Sequence, residues 1–145
     1  MTPEERARKS ADAMWAKDDA SKWAGMEIAD IGPGRAALTM TVEARHANGH
    51  GICHGGVIFM LADSAFAFAC NSYNRLAVAQ HNMISFIAPG RVGDALVAEA
   101  QEVSLRGRSG IYDVAVLRGG EAIAQMRGCS RVVDGRHFEE ENGDA

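Results

Sequence analysis

Residues 48–74, NGHGICHGGVIFMLADSAFAFACNSYN, decide how the rest of the chain reads. A Gly- and His-rich loop, Gly49 to Gly56, leads into an apolar segment that is interrupted chiefly by Asp63 and Ser64. Val57–Ala62 and Ala65–Cys70 are apolar on every helical face, so a helix here is expected to be buried all round. Ala62, Ala65, Ala67 and Ala69 let another backbone come close. If Gly55 and Gly56 start this helix, their N–H groups lack intrahelical acceptors and face outward with the positive end of the helix dipole. Such donors suit an oxyanion, and glycine leaves the substrate free to approach the backbone. Asn48 adds a side-chain donor, or a group to hold a water, a few residues earlier.

Asp63 is the more specific signal. A carboxylate on an apolar helix is costly unless it is paired or used, and burial raises its pKa toward that of a general base. Carboxylate nucleophile is the other role open to it; capping a backbone or pairing with an arginine is the purely structural one. Asp63 lies eight residues beyond Gly55, about 12 Å along a helix that rises 1.5 Å per residue. One carbonyl group does not span that distance. If the two act together, the aspartate comes from a second copy, and a two-fold dimer makes two equivalent sites.

Working outward, Thr2-Pro3-Glu4-Glu5 matches a helix start with a capping box. Ala7, Ala11, Met14 and Trp15 mark the apolar face of a helix expected over residues 3 to about 20. Gly25–Ile31 and Arg35–Val42 alternate as strands around the turn Gly32-Pro33-Gly34. Four more strands follow, Arg75–Ala88, Ala95–Arg106, Ile111–Leu117 and Ala122–Val133, joined by short Gly-bearing connections that predict an antiparallel meander. The result is an α+β domain over residues 1–134, a curved antiparallel sheet around one long helix with an N-terminal helix outside. Residues 135–145 are acidic and poor in apolar side chains, so a disordered tail is expected.

At 145 residues with 47% hydrophobic and 23% charged side chains, the composition is that of one globular domain. The charged N-terminus and the absence of a long apolar run argue against a signal peptide or a membrane span. Three widely spaced cysteines suit a reducing, cytoplasmic setting, and a net charge of −4 offers nucleic acid no general attraction. His46, His50, Cys53 and His54 match no established zinc spacing, so no metal is expected. A Cys53–His54 nucleophilic pair is disfavoured because adjacent side chains usually point apart.

The run Asn48–Gly56, with Leu61–Ala67, Ala69–Ser72, Ile84-Ser85-Phe86, Pro89–Asp94 and Gly110–Val114, resembles the hotdog-fold thioesterases of the phenylacetate-degradation (PaaI) type. The similarity covers most of residues 25–133. It implies hydrolysis of an acyl-CoA thioester, phenylacetyl-CoA or hydroxyphenylacetyl-CoA in character, by a homodimer that assembles into a homotetramer. No cofactor is implied, since CoA belongs to the substrate. By that resemblance Gly55 supplies the oxyanion-hole N–H, with Gly56 beside it. Asp63 of the partner subunit is nucleophile or base, Asn48 orients water or thioester, and His54 shapes the loop. Arg106, Arg108 and Ser109 lie where CoA phosphates are met, while Phe59, Met60 and Phe66 are candidates for an apolar acyl pocket. Relatives in the wider superfamily often carry a serine near the position of Ala79; Ser64, beside Asp63, is the available substitute. A hotdog-type hydratase using His46 or His50, and a non-catalytic acyl-CoA sensor, are the alternative readings.

Overall fold

The computed structural model describes residues 1–140. The chain runs α1 (Pro3–Trp15), α2 (Asp19–Trp23), β1 (Glu27–Gly32), β2 (Arg35–Thr41), a 3-10 turn (Ala44–His46), α3 (Gly55–Cys70), then β3 (Ala77–Phe86), β4 (Ala95–Arg106), β5 (Ser109–Arg118) and β6 (Glu121–Val132). All six strands form one antiparallel sheet in the order β1-β2-β4-β5-β6-β3. Its inner face wraps α3, and Leu38, Leu61, Phe66, Leu96, Tyr112, Val114 and Ile123 fill the space between them with side chains shielded from water. This is the hotdog arrangement that the resemblance implies.

Local chemistry accounts for most of the elements. Thr2 and Glu5 exchange hydrogen bonds with each other's backbone N–H, both at 3.1 Å, forming the capping box that starts α1. That helix stops at Trp15 and not near residue 20, because Asp18 caps a separate short helix by accepting from the Ser21 N–H at 3.0 Å. Gly119 and Gly120 both take positive φ, +55° and +82°, the backbone a tight two-residue hairpin needs between Arg118 and Glu121.

Two expectations need correction. Only β4, β5 and β6 form a meander; β3 crosses to the far edge and pairs with β6, from Ala77 opposite Val132 to Phe86 opposite Ala124. The Pro89–Gly90 punctuation therefore marks a crossing loop rather than a hairpin. Nor is the segment after β6 loose from residue 135 onward. Leu76 N–H donates to the Gly135 carbonyl, Asn74 holds the backbone of His137 and Phe138, and Arg6 pairs with Glu140 at 2.8 Å. Residues 141–145 lie outside the described residues.

Burial of α3 is uneven. Ile58, Leu61, Ala62, Ala65, Phe66, Phe68 and Ala69 are buried, but Gly56, Met60, Asp63 and Ala67 form a stripe that the single chain leaves partly or fully exposed. β3 supplies a second uncovered region, with Val78, Met83 and Phe86 exposed on an edge strand whose outer side has no strand partner among the described residues.

Candidate active site

α3 begins where its sequence predicts, at Gly55. His54 is its N-cap, and its Nδ1 accepts the Gly56 N–H at 2.8 Å. This satisfies one of the two donors expected to face a substrate. The Gly55 N–H has no hydrogen-bond partner among the described residues and is the donor left over. Both glycines lie close against a neighbouring side chain. A Cβ on Gly55 would sit 3.2 Å from the Phe86 ring, and one on Gly56 would sit 3.0 Å from the His54 Nδ1.

Asn48 is oriented by its own loop. Its Oδ1 accepts the His50 N–H at 2.9 Å and the Ile52 N–H at 3.4 Å, which leaves the amide NH2 without a partner among the described residues. Asn48 and Gly55 share a cleft of about 390 Å³ with Cys53, Ile58, Phe86 and Pro89. Burial pushes the Cys53 thiol up, and its Sγ contacts the His54 carbonyl, so a reactive thiolate is not favoured there. His46 is buried, its Nδ1 taken by the Glu43 N–H and its carbonyl by the His54 N–H at 2.7 Å. It braces the loop and lines neither the cleft nor the cavity around Asp63. Among the described residues no three His, Cys, Asp or Glu side chains gather as a metal site would need.

Asp63 opens into a different cavity, of about 370 Å³, with Met14, Phe66, Cys70, Val78 and Ala79 among its walls. Burial raises its carboxyl pKa, and the Asn82 amide, donating to Oδ1 at 3.0 Å, pulls it part of the way back. Asn82 is the residue that sequence reasoning missed. It sits on β3, nineteen positions from Asp63, and only the crossing of β3 beneath α3 brings them together. The Asn82 Oδ1 is buried with no hydrogen-bond partner among the described residues. Ala79, near which the resemblance implies a serine in wider relatives, lies in the same cavity. Ser64 does not replace that hydroxyl, since its Oγ bonds Ser21 on α2 at 2.9 Å.

Of the remaining sequence candidates, Phe66 lines the Asp63 cavity, whereas Phe59 and Met60 pack against the core and line neither cavity. Arg106, Arg108 and Ser109 are exposed at the β4–β5 turn, far along the sheet from the start of α3. Arg75 and Arg131 join them there, donating to the Gly107 carbonyl at 3.3 Å and the Ser109 hydroxyl at 3.4 Å. The structure thus joins Asn48, His54, Gly55 and Gly56 at one end of α3 and places Asp63 with Asn82 farther along it.

The chain thus has the hotdog arrangement, with an open helix start and a half-buried aspartate on the central helix. The thioesterase superfamily model matches residues 50–124, and the chain belongs to that family. More particularly, it is 41% identical over 131 residues to the acyl-coenzyme A thioesterase PaaI of Escherichia coli, covering 90% of this chain and 94% of that one. The solved structure of the E. coli PaaI protein, from the phenylacetic acid degradation operon, superimposes with a TM-score of 0.91 at 40% identity, covering 93% of this chain and 99% of that one. A Thermus thermophilus protein of known structure follows at 34% identity and a TM-score of 0.79, over 81% of this chain and 99% of that one.

Proposed function

We propose that this protein hydrolyses acyl-CoA thioesters, with arylacetyl-CoA as the preferred class, in a site completed by two subunits. The observation that carries this reading is the division of the machinery within one chain. The free Gly55 N–H and the Asp63 carboxylate stand in separate cavities, about 12 Å apart along α3 at 1.5 Å per residue. Pairing two copies through the exposed β3 edge and the half-covered α3 stripe supplies each Gly55 with the other chain's aspartate. Relatives named for acyl-CoA hydrolysis and phenylacetate degradation support the substrate class.

In the reaction the thioester carbonyl oxygen accepts the Gly55 N–H, with the Asn48 amide at hand to donate to the substrate. Asp63, oriented by Asn82, takes a proton from water as that water's oxygen bonds to the carbonyl carbon, or attacks that carbon itself. The negative charge that forms on the carbonyl oxygen is held by the N–H at the positive end of α3. Collapse expels CoA as its thiolate, which takes up a proton, and leaves the carboxylic acid. Where Asp63 attacks, water then cleaves the anhydride to the same products. Arg106, Arg108 and Ser109, with Arg75 and Arg131 alongside, offer the CoA phosphates a cationic surface. Dimers that pair again give the homotetramer that the family resemblance implies.

The test is CoA release, followed with a thiol reagent across aryl and fatty acyl-CoAs. Asp63→Ala is expected to lose at least about 10³-fold in kcat, as loss of a catalytic base or nucleophile does, while still binding substrate. A folded Asp63→Ala protein with unreduced turnover contradicts the reading. Hydration of enoyl-CoA without any CoA release would instead establish the hydratase alternative.

A further inference from the structure

The loop that delivers Gly55 is tied to two other segments. The His54 N–H donates to the His46 carbonyl and the Cys53 N–H to the Gly90 carbonyl, both at 2.7 Å. Two successive amides just ahead of α3 are thus anchored, one within the loop itself and one on the crossing loop between β3 and β4. A backbone bridge between Ile52 and Arg91 runs beside the Gly90 bond. The crossing loop also contributes Ile87, Ala88 and Pro89 to the wall of the cleft that Gly55 lines. The position of Gly90 therefore bears on the Gly55 N–H and on the wall facing it together.

One side chain holds the crossing loop on either side of Gly90. Arg118, the last residue of β5, donates from Nη1 to the Pro89 carbonyl at 2.6 Å, and the same nitrogen lies 3.5 Å from the Asp94 Oδ2. That carboxylate oxygen in turn accepts the Arg91 N–H at 2.8 Å. Proline has no N–H to anchor itself with, so the hold on Pro89 comes through its carbonyl. The Arg118 and Asp94 side chains are only 29% and 25% exposed, which limits competition from water. Glu121 lies 4.0 Å from the other end of the guanidinium and is 69% exposed, a pairing that contributes little.

Resting on the thioesterase reading, the geometry points to Arg118 as a positioning residue for the oxyanion donor, acting through Pro89 and Gly90 on the Cys53 amide, two residues before Gly55. Arg118 lines neither the cleft at Gly55 nor the cavity at Asp63, so its influence on the reaction passes through the backbone of the two loops. A misplacement of about 1 Å from a remote substitution can cost about 10²-fold in rate. The loss falls on kcat more than on KM, because the Gly55 N–H does most once charge has formed on the carbonyl oxygen.

The experiment measures kcat and KM for phenylacetyl-CoA in the intact wild-type chain and in Arg118→Met, Arg118→Lys and Glu121→Gln, with the Gly55 amide signal followed in 1H–15N spectra of each. Arg118→Met is expected to lose about tenfold or more in kcat with KM within about twofold of wild type, and to shift the Gly55 signal. Arg118→Lys is expected to recover part of the loss, since an ammonium still reaches the Pro89 carbonyl but lacks the fork that spans to Asp94. Glu121→Gln leaves the Pro89 contact whole and is expected to match the wild type. A folded Arg118→Met protein with kcat within about twofold of wild type, far short of the expected loss, or with an unmoved Gly55 signal, overturns the assignment while leaving thioester hydrolysis intact. An equal loss of kcat in Glu121→Gln overturns it as well, by tracing the effect to the hairpin tip. Should Arg118→Met not fold, Arg118→Lys decides: lowered kcat with a shifted Gly55 signal supports the assignment, and wild-type values of both refute it. Absence of CoA release by the wild type on every acyl-CoA overturns the thioesterase reading instead, and the Gly55 signal alone then tests the link from Arg118 to the helix start.

Discussion

Replacing Gly55 by proline removes one N–H from the protein and little else. Gly55 is the first residue of α3, the helical position where proline is best tolerated, because an N–H there has no intrahelical partner in any case. The preceding residue must be extended when proline follows, and His54 already is, at φ −57° and ψ 132°. The added ring carbons approach Phe86, whose side chain is 54% exposed and free to swing aside. Stability is therefore expected to stay within about 1 kcal/mol, or about 4 °C in Tm for a domain of this size. Loss of a single oxyanion donor lowers kcat by about 10² to 10³, with KM little changed because the donor matters most once charge has formed on the oxygen. Thiol release under saturating substrate, read beside a thermal melt, measures both quantities. A folded Gly55→Pro enzyme with kcat within about threefold of wild type, against the loss expected for such a donor, refutes the assignment of the oxyanion N–H to Gly55.

Further consequences concern the aspartate and the core. Asn82 donates to the Asp63 carboxylate and so favours its ionised form. In Asn82→Ala the Asp63 pKa rises further, and since the ionised form does the work, the acidic limb of the kcat/KM–pH profile is expected to move to higher pH; an unmoved or lowered limb contradicts the pairing. Gly128 on β6 faces Phe66, where an added Cβ would meet the ring at 2.9 Å in a fully packed layer. Gly128→Ala is expected to cost about 1–3 kcal/mol of stability by overpacking, measured by denaturant titration, and an unchanged midpoint would show that α3 is less tightly held against the sheet than its packing indicates.

Much of this arrangement is legible in the sequence because it is written in local chemistry. The Thr2 capping box, the start of α3 at Gly55 and the limits of β4 follow from neighbouring residues alone. The end of α1 was also readable, since Asp18 three residues before Ser21 is a cap signal, but the apolar Trp15 and continuing helix formers obscured it. The partner of β3 was not readable. Nothing between Phe86 and Ala95 distinguishes a hairpin from a crossing, and pairing with β6 is decided by which face must cover α3. Asn82 was hidden for the same reason, its meaning depending wholly on that crossing. The folded segment at residues 135–140 depends on Asn74 and Arg6, partners far away in the chain, whereas composition records only its acidity.

The claim that each site draws on two chains has a direct test in subunit mixing. Gly55→Pro retains Asp63, and Asp63→Ala retains Gly55, so each homodimer lacks one half of both of its sites. After unfolding and refolding together in equal amounts, half of the dimers are mixed. Each mixed dimer of two-fold symmetry then holds one intact site, so about one quarter of the wild-type activity is expected to return. Mixed protein no more active than the separate variants, with dimer exchange confirmed by mass spectrometry, would contradict a shared site and return both groups to a single chain.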